Sequence, residues 1–336
     1  MILLDSLYIN NGGGKILLDY LVKSLEEEQV DVHYLFDARC ASDFAYIPSE
    51  RKTILKASLL KRHQFYKRKE NKFSKVFCFG NLGPTLKLNV PVYVYFHQRL
   101  YLDVPKSLNF KNQIMFKIKS YVFEKLLSHT DLVLLQTESI RQEFIRKYTF
   151  YKKDKVVVLP FYEPMSYPTT EKEKDSFVYV SSGTKHKNQA NLIHAFANVY
   201  KKAKRGKLTL TIANEYEELI DLVNAYKEEG VPIVNLGFIP KENLAVIYAK
   251  TEFCIYPSLS ESFGLGILEA IEGGCKIIGS DLPYMHTICN PSIAFDPWQI
   301  ETIEEAIYEA LTQESNPTDL KTKNYIKEII QLLQSN

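Results

Sequence analysis

Short apolar runs alternate with amphipathic stretches along most of the chain. The first run, residues 2–8, precedes a loop rich in asparagine and glycine, and residues 15–28 then repeat apolar positions at helical spacing. A strand predicted at residues 32–36 completes the strand, helix and strand order of a βαβ unit, which implies parallel strands. The same half predicts further strands at residues 76–79, 92–96, 132–135 and 156–159 and a helix at residues 110–128.

A second alternating series follows a polar, proline-containing stretch, residues 161–175, which we interpret as a linker. Predicted strands lie at residues 177–180, 208–213, 233–236, 253–256 and 276–278, and predicted helices at 189–201, 215–228, 242–249, 264–271, 301–311 and 321–334. Two series joined by a linker predict two Rossmann-like α/β domains, residues 1–163 and 164–336, each long enough to bury its own core.

Composition narrows the class of protein. The 336 residues have the apolar and charged fractions of a globular protein and no run of 18 apolar residues, so no transmembrane helix is expected. The amino terminus lacks the features of a signal peptide. Five scattered cysteines without a C-x-x-C pair favour free thiols over disulfides or zinc, and therefore a cytoplasmic protein.

Charge divides the chain into unlike halves. Residues 1–160 contain 26 Lys and Arg against 16 Asp and Glu, a net charge of +10, whereas residues 161–336 contain 16 against 24, a net charge of −8. The basic excess is greatest in residues 51–75, where ten cations accompany one acid, Glu70.

The segment 51–75 allows two interpretations. It is either a solvated helix or mobile loop, or a contact for an anionic membrane or a phosphorylated carrier, because apolar residues interleave with its cations. A membrane contact would place the protein peripherally on the inner face of the membrane. Nucleic acid is not an expected partner, since no recognition motif accompanies the charge. The interleaved apolar residues are Leu55, Leu59, Leu60, Phe65, Tyr66 and Phe73.

Two glutamates bracket a glycine-containing turn at the start of an apolar helix. Residues 261–270 are Glu-Ser-Phe-Gly-Leu-Gly-Ile-Leu-Glu-Ala, with the helix expected to begin near Gly264. A helix amino terminus offers free N–H groups and a positive dipole end, which suit a phosphate. Glu261 would lie outside this end, and Glu269 roughly 6 Å along the axis. Such a site suits a nucleotide-sugar, although the spacing of two glutamates also arises at ordinary helix starts.

This segment resembles the E-x7-E motif of retaining glycosyltransferases of family 4, with serine and glycine in place of the commoner glycine and proline. The resemblance is strongest over residues 177–281. It implies the GT-B fold, with two Rossmann-like domains whose parallel sheets face each other across a cleft and a last helix that returns to the first domain. It also implies transfer of a sugar from a nucleoside diphosphate to an acceptor hydroxyl, with retention at the anomeric carbon.

A loop between a predicted strand and helix, residues 181–188, supplies a candidate cation. The resemblance places Lys187 on the lysine that binds the donor diphosphate, where a cation stabilises the leaving group. Ser182 stands where the family often has an arginine, so Lys185 or backbone N–H groups would supply the missing contacts. By itself, a lysine in a loop is usually solvated.

Two further candidates lie in the first half. Gly12-Gly13-Gly14 lets the backbone approach a ligand closely, or forms a tight turn without one, and no G-x-G-x-x-G is present. His97 follows a predicted strand, where α/β folds place their sites, although a lone histidine is often structural. The resemblance implies that the glycine loop faces the donor diphosphate and the acceptor and that His97 contacts the donor sugar. Arg99, two residues further on, is a candidate contact for the acceptor or a phosphate.

Together these observations predict a glycosyltransferase in bacterial surface polysaccharide or glycolipid assembly, such as lipopolysaccharide or capsule, acting on a glycan or lipid-linked acceptor. No D-x-D triplet occurs and the histidines lack metal-ligand spacing, so no metal or other cofactor is expected. The alternatives are a catalytically inactive nucleotide-sugar-binding protein and, more remotely, a nicotinamide-dependent oxidoreductase. The expected catalytic residues are Glu261, Lys187 and His97; the expected donor-binding residues are Gly13, Gly14, Ser182, Lys185, Phe263, Gly264, Leu265 and Glu269.

Overall fold

The computed structural model describes residues 1–69, 72–104 and 109–335. The chain divides into two compact units. Unit 1 comprises residues 1–163 together with 323–336, and unit 2 comprises residues 164–322. None of the described helices is both long and apolar enough to cross a membrane.

Unit 1 is built on a parallel sheet of seven strands. Its strands are β1 (Ile2–Asp5), β2 (Val32–Asp37), β3 (Lys52–Leu55), β4 (Lys75–Cys78), β5 (Val92–Phe96), β6 (Leu132–Leu135) and β7 (Val156–Val158). Its helices are α1 (Gly12–Glu27), α2 (Leu59–Lys69), α3 (Phe110–Leu126) and α4 (Glu138–Lys147). The strand order is β3-β2-β1-β4-β5-β6-β7, and every neighbouring pair is parallel.

Unit 2 repeats this plan with six strands in its main sheet. The strands are β8 (Glu173–Tyr179), β9 (Lys207–Leu210), β10 (Ile233–Asn235), β11 (Thr251–Tyr256), β12 (Lys276–Ser280), β13 (Cys289–Asn290), β14 (Ile293–Phe295) and β15 (Asp319–Leu320). The helices are α5 (Gln189–Ala203), α6 (Glu217–Glu228), α7 (Lys241–Lys250), α8 (Leu265–Glu272), α9 (Pro283–Ile288) and α10 (Ile300–Thr312). The parallel main sheet has the order β10-β9-β8-β11-β12-β14, and β13 pairs with β15 in an antiparallel ribbon.

Both main sheets have the doubly wound strand order. When only the strands of each main sheet are numbered, the first six lie in the order 3-2-1-4-5-6 in both units. The order reverses between β1 and β4 in unit 1 and between β8 and β11 in unit 2. Ligands of such folds bind at this reversal, beyond the carboxyl ends of the strands. The prediction of two Rossmann-like α/β domains is therefore confirmed.

The last helix, α11 (Ile326–Gln334), belongs to unit 1. Its apolar face is buried, and its carboxyl end is held by Lys75, whose Nζ donates to the carbonyl oxygens of Leu332 at 2.8 Å and Ser335 at 2.6 Å. A cation at this end also complements the helix dipole. The buried residues of α11 are Ile326, Ile329, Ile330 and Leu333.

The basic segment 51–75 contains a strand and a partly buried helix. It forms β3, which pairs with β2, and α2, which buries Arg62, Phe65 and Tyr66. Leu59 and Leu60 are exposed. Residues 70 and 71 lie outside the described residues.

A buried ion pair explains why this cationic segment folds onto the sheet. The Nε of Arg62 donates to the Asp5 carboxylate at 2.7 Å, and both side chains are almost fully buried. The other nitrogens of Arg62 donate to the carbonyl oxygens of Leu82 and Gly83, each at 2.7 Å. The Tyr66 hydroxyl donates to the same carboxylate. Arg62 therefore connects the end of β1 to the loop after β4, on either side of the reversal in strand order.

Candidate functional site

Lys187 and Glu261 meet at the reversal in strand order of unit 2. The loop after β8 places Lys187, and the loop after β11 places Glu261. The Nζ of Lys187 lies 2.6 Å from Oε1 of Glu261, and the two side chains are 16% and 10% exposed. Two residues that the resemblance assigned to donor binding and catalysis thus lie in direct contact, 74 positions apart in the sequence.

Hydroxyl groups beneath this pair join the two loops. Tyr179, at the end of β8, donates from its hydroxyl to the Lys187 carbonyl oxygen at 3.0 Å and lies 2.8 Å from Oγ of Ser258. The Leu259 N–H donates to the His186 carbonyl oxygen at 2.8 Å. Because these groups are buried or partly buried, the bonds fix the position of Lys187 relative to Glu261.

The loop before α5 is held by its own polar side chains. Asn188 has a left-handed backbone, with φ 57°, and its Nδ2 donates to the Pro297 carbonyl oxygen at 2.8 Å. Gln189 donates from Nε2 to the carbonyl oxygens of Ser181 at 3.1 Å and Ser182 at 2.9 Å. Gly183 is required by packing, since a Cβ there would lie 2.3 Å from the Tyr216 ring.

Ser182 and Lys185 lie in the same loop but apart from the ion pair. Both are exposed. The Ser182 hydroxyl lies 3.1 Å from that of Thr184, and among the described residues Lys185 forms no ion pair. The loop thus presents Lys185 to solvent and Lys187 to Glu261.

Helix α8 begins beside Glu261 in the sequence. Gly264 precedes its first residue, Leu265, with a left-handed φ of 73°, and no side chain of the described residues caps the end. A Cβ on Gly264 would lie 2.9 Å from Cδ1 of Ile267, so glycine is required for both conformation and space. Phe263 is buried and anchors the turn. The predicted helix start near Gly264 is confirmed, and its first N–H groups are available to an anion.

Glu269 lies on α8, roughly 6 Å along the axis from Leu265. Its side chain is partly buried, and its carbonyl oxygen accepts a hydrogen bond from the Tyr167 hydroxyl at 2.7 Å. Burial, with a smaller contribution from the Glu269 charge, raises the pKa of the neighbouring Tyr248 hydroxyl. The position matches the expectation that Glu269 follows the amino-terminal end of the helix by one turn.

His97 lies at the end of β5 in unit 1, in a polar contact with the loop after β4. Its Nε2 lies 3.0 Å from the Phe79 carbonyl oxygen, and its backbone N–H donates to Oδ1 of Asn81 at 2.7 Å. Because a carbonyl can only accept, we assign the ring proton to Nε2, which leaves Nδ1 as an acceptor. Burial lowers the pKa of His97 to about 4, so the ring is neutral at pH 7.

The glycine loop approaches this histidine. A Cβ on Gly14 would lie 3.0 Å from Cε1 and 3.5 Å from Nδ1 of His97, so the backbone of α1 passes directly beside the ring. Gly13 is exposed in the first turn of α1. The structure thus brings Gly14 and His97 together, as a shared site requires.

Arg99 is engaged by a neighbouring acid. Its NH2 nitrogen donates to Oε1 of Glu143 at 3.0 Å, and its Nε donates to Oε2 at 3.3 Å. A contact with an acceptor or a phosphate would have to compete with this carboxylate.

Two residues of unit 1 with left-handed backbone conformations were missed by sequence reasoning. Asn81 has φ 66° and is buried. The sequence signal for it was its position between Gly80 and Gly83, just after a predicted strand. Tyr8 has φ 85°, and its buried hydroxyl has no hydrogen-bond partner among the described residues. Strained residues and unsatisfied polar groups concentrate at functional sites.

No group of three or more His, Cys, Asp and Glu side chains suitable for a metal ion occurs within the described ranges.

Comparison with known proteins gives a family for most of unit 2. Residues 167–328 match the family model described as glycosyl transferases group 1. Over 222 residues the chain is 27% identical to O-antigen chain mannosyltransferase B from Escherichia coli, which covers 61% of this chain and 57% of the relative. The chain thus spans little more than half the length of that relative.

Solved structures resemble the chain over almost its whole length. Sucrose-phosphate synthase from Thermosynechococcus elongatus superimposes with a TM-score of 0.69 at 17% identity, covering 92% of this chain and 89% of the other. The Anabaena protein Alr3699/HepE, solved in complex with UDP, gives a TM-score of 0.68 at 13% identity and covers 100% and 99%. The family match of residues 167–328 and the mannosyltransferase relative support the predicted enzyme class, a glycosyltransferase. The chain therefore has the GT-B fold, and its residues 167–328 match the glycosyl transferases group 1 family.

Proposed function

We propose that this chain is a retaining glycosyltransferase of family 4 that moves a sugar from a nucleoside diphosphate-sugar to an acceptor hydroxyl. The observation that carries the proposal is the Lys187–Glu261 pair at the reversal in strand order of unit 2, beside the uncapped amino terminus of α8. A cation, a carboxylate and free N–H groups at one edge of a parallel sheet suit a diphosphate with a hydroxylated ring beside it. The group 1 family match covers all three elements.

The donor diphosphate would bind between Lys187 and the first N–H groups of α8, near Gly264 and Leu265. Lys187 is then shared between Glu261 and the phosphate oxygens, so the positive charge is already in place when the leaving group develops negative charge. Glu269, one turn along α8, would accept hydrogen bonds from the ribose hydroxyls. Ser182 and Lys185 lie in the loop that carries Lys187, where they can extend the contact to the phosphates.

In the proposed reaction the bond between the anomeric carbon and the diphosphate oxygen breaks, and the acceptor oxygen bonds to the same face of that carbon. The acceptor hydroxyl proton passes to the departing diphosphate. Glu261 hydrogen-bonds the donor sugar and stabilises positive character near the anomeric carbon, without forming a covalent bond. No metal is required in this scheme, because Lys187 and the helix end provide the positive charge.

We propose that unit 1 also binds ligand at its own reversal in strand order. The free Nδ1 of His97 can accept a hydrogen bond from a sugar hydroxyl, and the exposed Gly13 and adjacent Gly14 leave the backbone open to a ligand. Arg99 would serve an acceptor or phosphate only by leaving Glu143.

The pathway we propose is the assembly of bacterial surface polysaccharide or glycolipid. The name of the Escherichia coli relative, an O-antigen chain mannosyltransferase, supports this pathway. We accordingly propose a cytoplasmic protein, in peripheral contact with the inner face of the membrane, acting on a glycan or lipid-linked acceptor. The reported matches give no support to a nicotinamide-dependent enzyme.

Thermal unfolding with UDP, GDP, ADP, CMP and NAD, each with and without EDTA, tests the donor site. A nucleoside diphosphate at 100 times its dissociation constant should add roughly 2.7 kcal/mol to the free energy of unfolding, and EDTA should not change this shift. Stabilisation by NAD alone would overturn the proposal.

Substitutions then separate binding from chemistry. Lys187→Ala should weaken binding of the stabilising nucleotide about ten-fold or more, because a charge-assisted hydrogen bond is lost. Glu261→Gln should bind it at least as tightly as the wild type, since a negative charge beside the diphosphate is removed, while donor turnover falls about 100-fold or more. Glu218→Gln, an exposed substitution on α6, is the matched control. Full turnover by Glu261→Gln would refute the assignment of Glu261.

A further inference from the structure

Helix α3 of unit 1 exposes a stripe of large apolar side chains. Phe110 is 78% exposed, Ile118 and Tyr121 are each 59% exposed, and Ile114 and Met115 are 43% and 38% exposed. Residues 110, 114, 118 and 121 are separated by three or four positions, so they lie along one face. At 1.5 Å per residue the stripe extends roughly 16 Å. We call this surface the α3 stripe.

Most of the stripe belongs to the amino-terminal half of α3, which contains no buried residue. The buried residues of α3 are Ser120, Phe123 and Leu126, all in its carboxyl-terminal half. Phe123 and Leu126 pack in an apolar cluster of unit 1, which anchors the helix. Residues 110–119 include no buried position, although five of the ten are Phe, Ile or Met. Within the described part of the chain, the stripe is therefore left to solvent, and a continuous apolar patch of this kind marks an interaction surface.

The charges around the stripe are almost all positive. Lys111, Lys117, Lys119 and Lys125 are exposed, and Glu124 is the one acid of the helix. Among the described residues, none of these four lysines forms an ion pair with a carboxylate. The ammonium groups of Lys119 and Lys125 lie over the rings of Phe116 and Tyr121, at 5.2 Å and 5.3 Å from the ring centres. Their aliphatic parts thus extend the apolar surface while the charges remain at its rim.

We propose that the α3 stripe binds the surface of an anionic lipid bilayer. Apolar side chains on one face of a helix, with lysines at the rim, match the boundary between lipid headgroups and acyl chains. A second copy of the chain is a poorer partner, because a symmetric contact would bring the same unpaired lysines together. The inference rests on the proposed function only for its lipid-linked acceptor. It places the membrane contact on α3 and not on segment 51–75.

Vesicle co-sedimentation tests the proposal on the whole chain. The wild type should bind vesicles of equal parts phosphatidylglycerol and phosphatidylcholine, bind phosphatidylcholine alone far less, and lose much of its binding in 0.5 M salt. Phe110→Ser combined with Ile118→Ser should reduce partitioning about ten-fold or more, since two large apolar groups no longer enter the bilayer. The thermal midpoint should stay unchanged, because these exposed side chains do not stabilise the unit.

Leu60→Ser is the matched control, because Leu60 on α2 is 67% exposed and also lies among cations. It should leave vesicle binding unchanged. Loss of binding in Leu60→Ser alone would place the membrane contact on α2, and equal binding by the α3 variant would overturn the proposal. The proposal would also be overturned if the wild type bound no vesicles and instead formed a dimer that the α3 variant does not form. The nucleotide that stabilises the wild type should stabilise the α3 variant equally. The test of membrane binding and the test of the glycosyltransferase function can therefore fail independently.

Discussion

His97 shows how burial at the end of a strand sets the chemistry of one side chain. Its Nε2 proton is directed to the Phe79 carbonyl oxygen, and burial lowers its pKa to about 4. The ring is then a neutral hydrogen-bond acceptor at Nδ1 over the whole physiological range. A general base that changes its charge near neutrality is not what this environment produces.

The pKa of His97 has a consequence for stability. In an unfolded chain a histidine takes up a proton below about pH 6.5, whereas folded His97 does so only near pH 4. Between these values the unfolded state binds more protons, so the free energy of unfolding falls as the pH is lowered from 6.5 toward 4. His97→Gln should reduce the loss between pH 7 and pH 4.5 by about 1 to 2 kcal/mol, measured by urea unfolding.

His33 provides an internal comparison for this measurement. It is buried near Lys69, and burial, followed by the lysine charge, lowers its pKa to about 4 as well. His33→Gln should therefore reduce acid sensitivity in the same direction. An acid dependence in His97→Gln identical to that of the wild type would show that the folded histidine titrates normally.

At the scale of elements, the turn into α8 depends on one backbone conformation. Gly264 has φ 73°, and a Cβ there would approach Ile267 at 2.9 Å and Ile288 at 3.1 Å. The turn both starts the helix and fixes the direction in which its N–H groups point. A side chain at this position would alter the distance between Lys187 and the helix end as well as the stability of unit 2.

Gly264→Ala and Gly230→Ala separate strain from crowding. Gly230 also has a left-handed φ, 80°, but a Cβ there meets nothing within 4 Å. Gly230→Ala should lower the free energy of unfolding by about 1 kcal/mol from backbone strain alone. Gly264→Ala should lower it by about 2 to 4 kcal/mol because a clash is added. Urea unfolding of unit 2 measures both losses in free energy of unfolding. Equal losses would mean that Ile267 and Ile288 move away from the added Cβ without a cost in free energy.

Several strands that the sequence predicted correctly have continuous apolar runs. Strands such as β5 and β6 are buried on both faces in a parallel sheet, so nearly every residue is apolar. The strand β3 was missed because it is the edge strand and reads Lys-Thr-Ile-Leu, without an apolar run. The helix α4 was missed because only Ile140 and Phe144 of its ten residues are buried.

The candidate site was predictable only in part, since its contacts are distant in sequence. The resemblance pointed to Lys187 and Glu261, which the structure places in contact. Nothing local indicated that Arg62 pairs with Asp5 across 57 positions, because a cation in a basic segment ordinarily faces water. Asn81, which holds the backbone of His97, left a similarly weak trace.

At the scale of the whole molecule, the chain returns to unit 1 after completing unit 2. Tyr325 donates its backbone N–H to the Pro160 carbonyl oxygen at 2.9 Å, and Asn324 donates to that of Tyr162 at 2.6 Å. The apolar face of α11 then completes the core of unit 1. The stability of unit 1 therefore depends on residues that follow unit 2 in the sequence.

Substitution of Ile329 tests this dependence. Ile329 is fully buried in α11, so Ile329→Ala should lower the stability of unit 1 by about 2 to 5 kcal/mol. Hydrogen exchange followed by mass spectrometry should show faster exchange in residues 1–163 and unchanged exchange in residues 164–322. Lys327→Ala, exposed on the same helix, is the control. Faster exchange in residues 164–322 instead would contradict the division of the chain.

The five cysteines turn the two units into separately observable parts. All five are free and buried, and burial raises the pKa of Cys78, Cys275 and Cys289 to about 12. The folded chain is thus nearly inert to alkylating reagents, and labelling requires local opening. Label at Cys40 or Cys78 records an opening of unit 1, and label at Cys254, Cys275 or Cys289 records one of unit 2. The rates at which the native cysteines are alkylated therefore report the order in which the two units open.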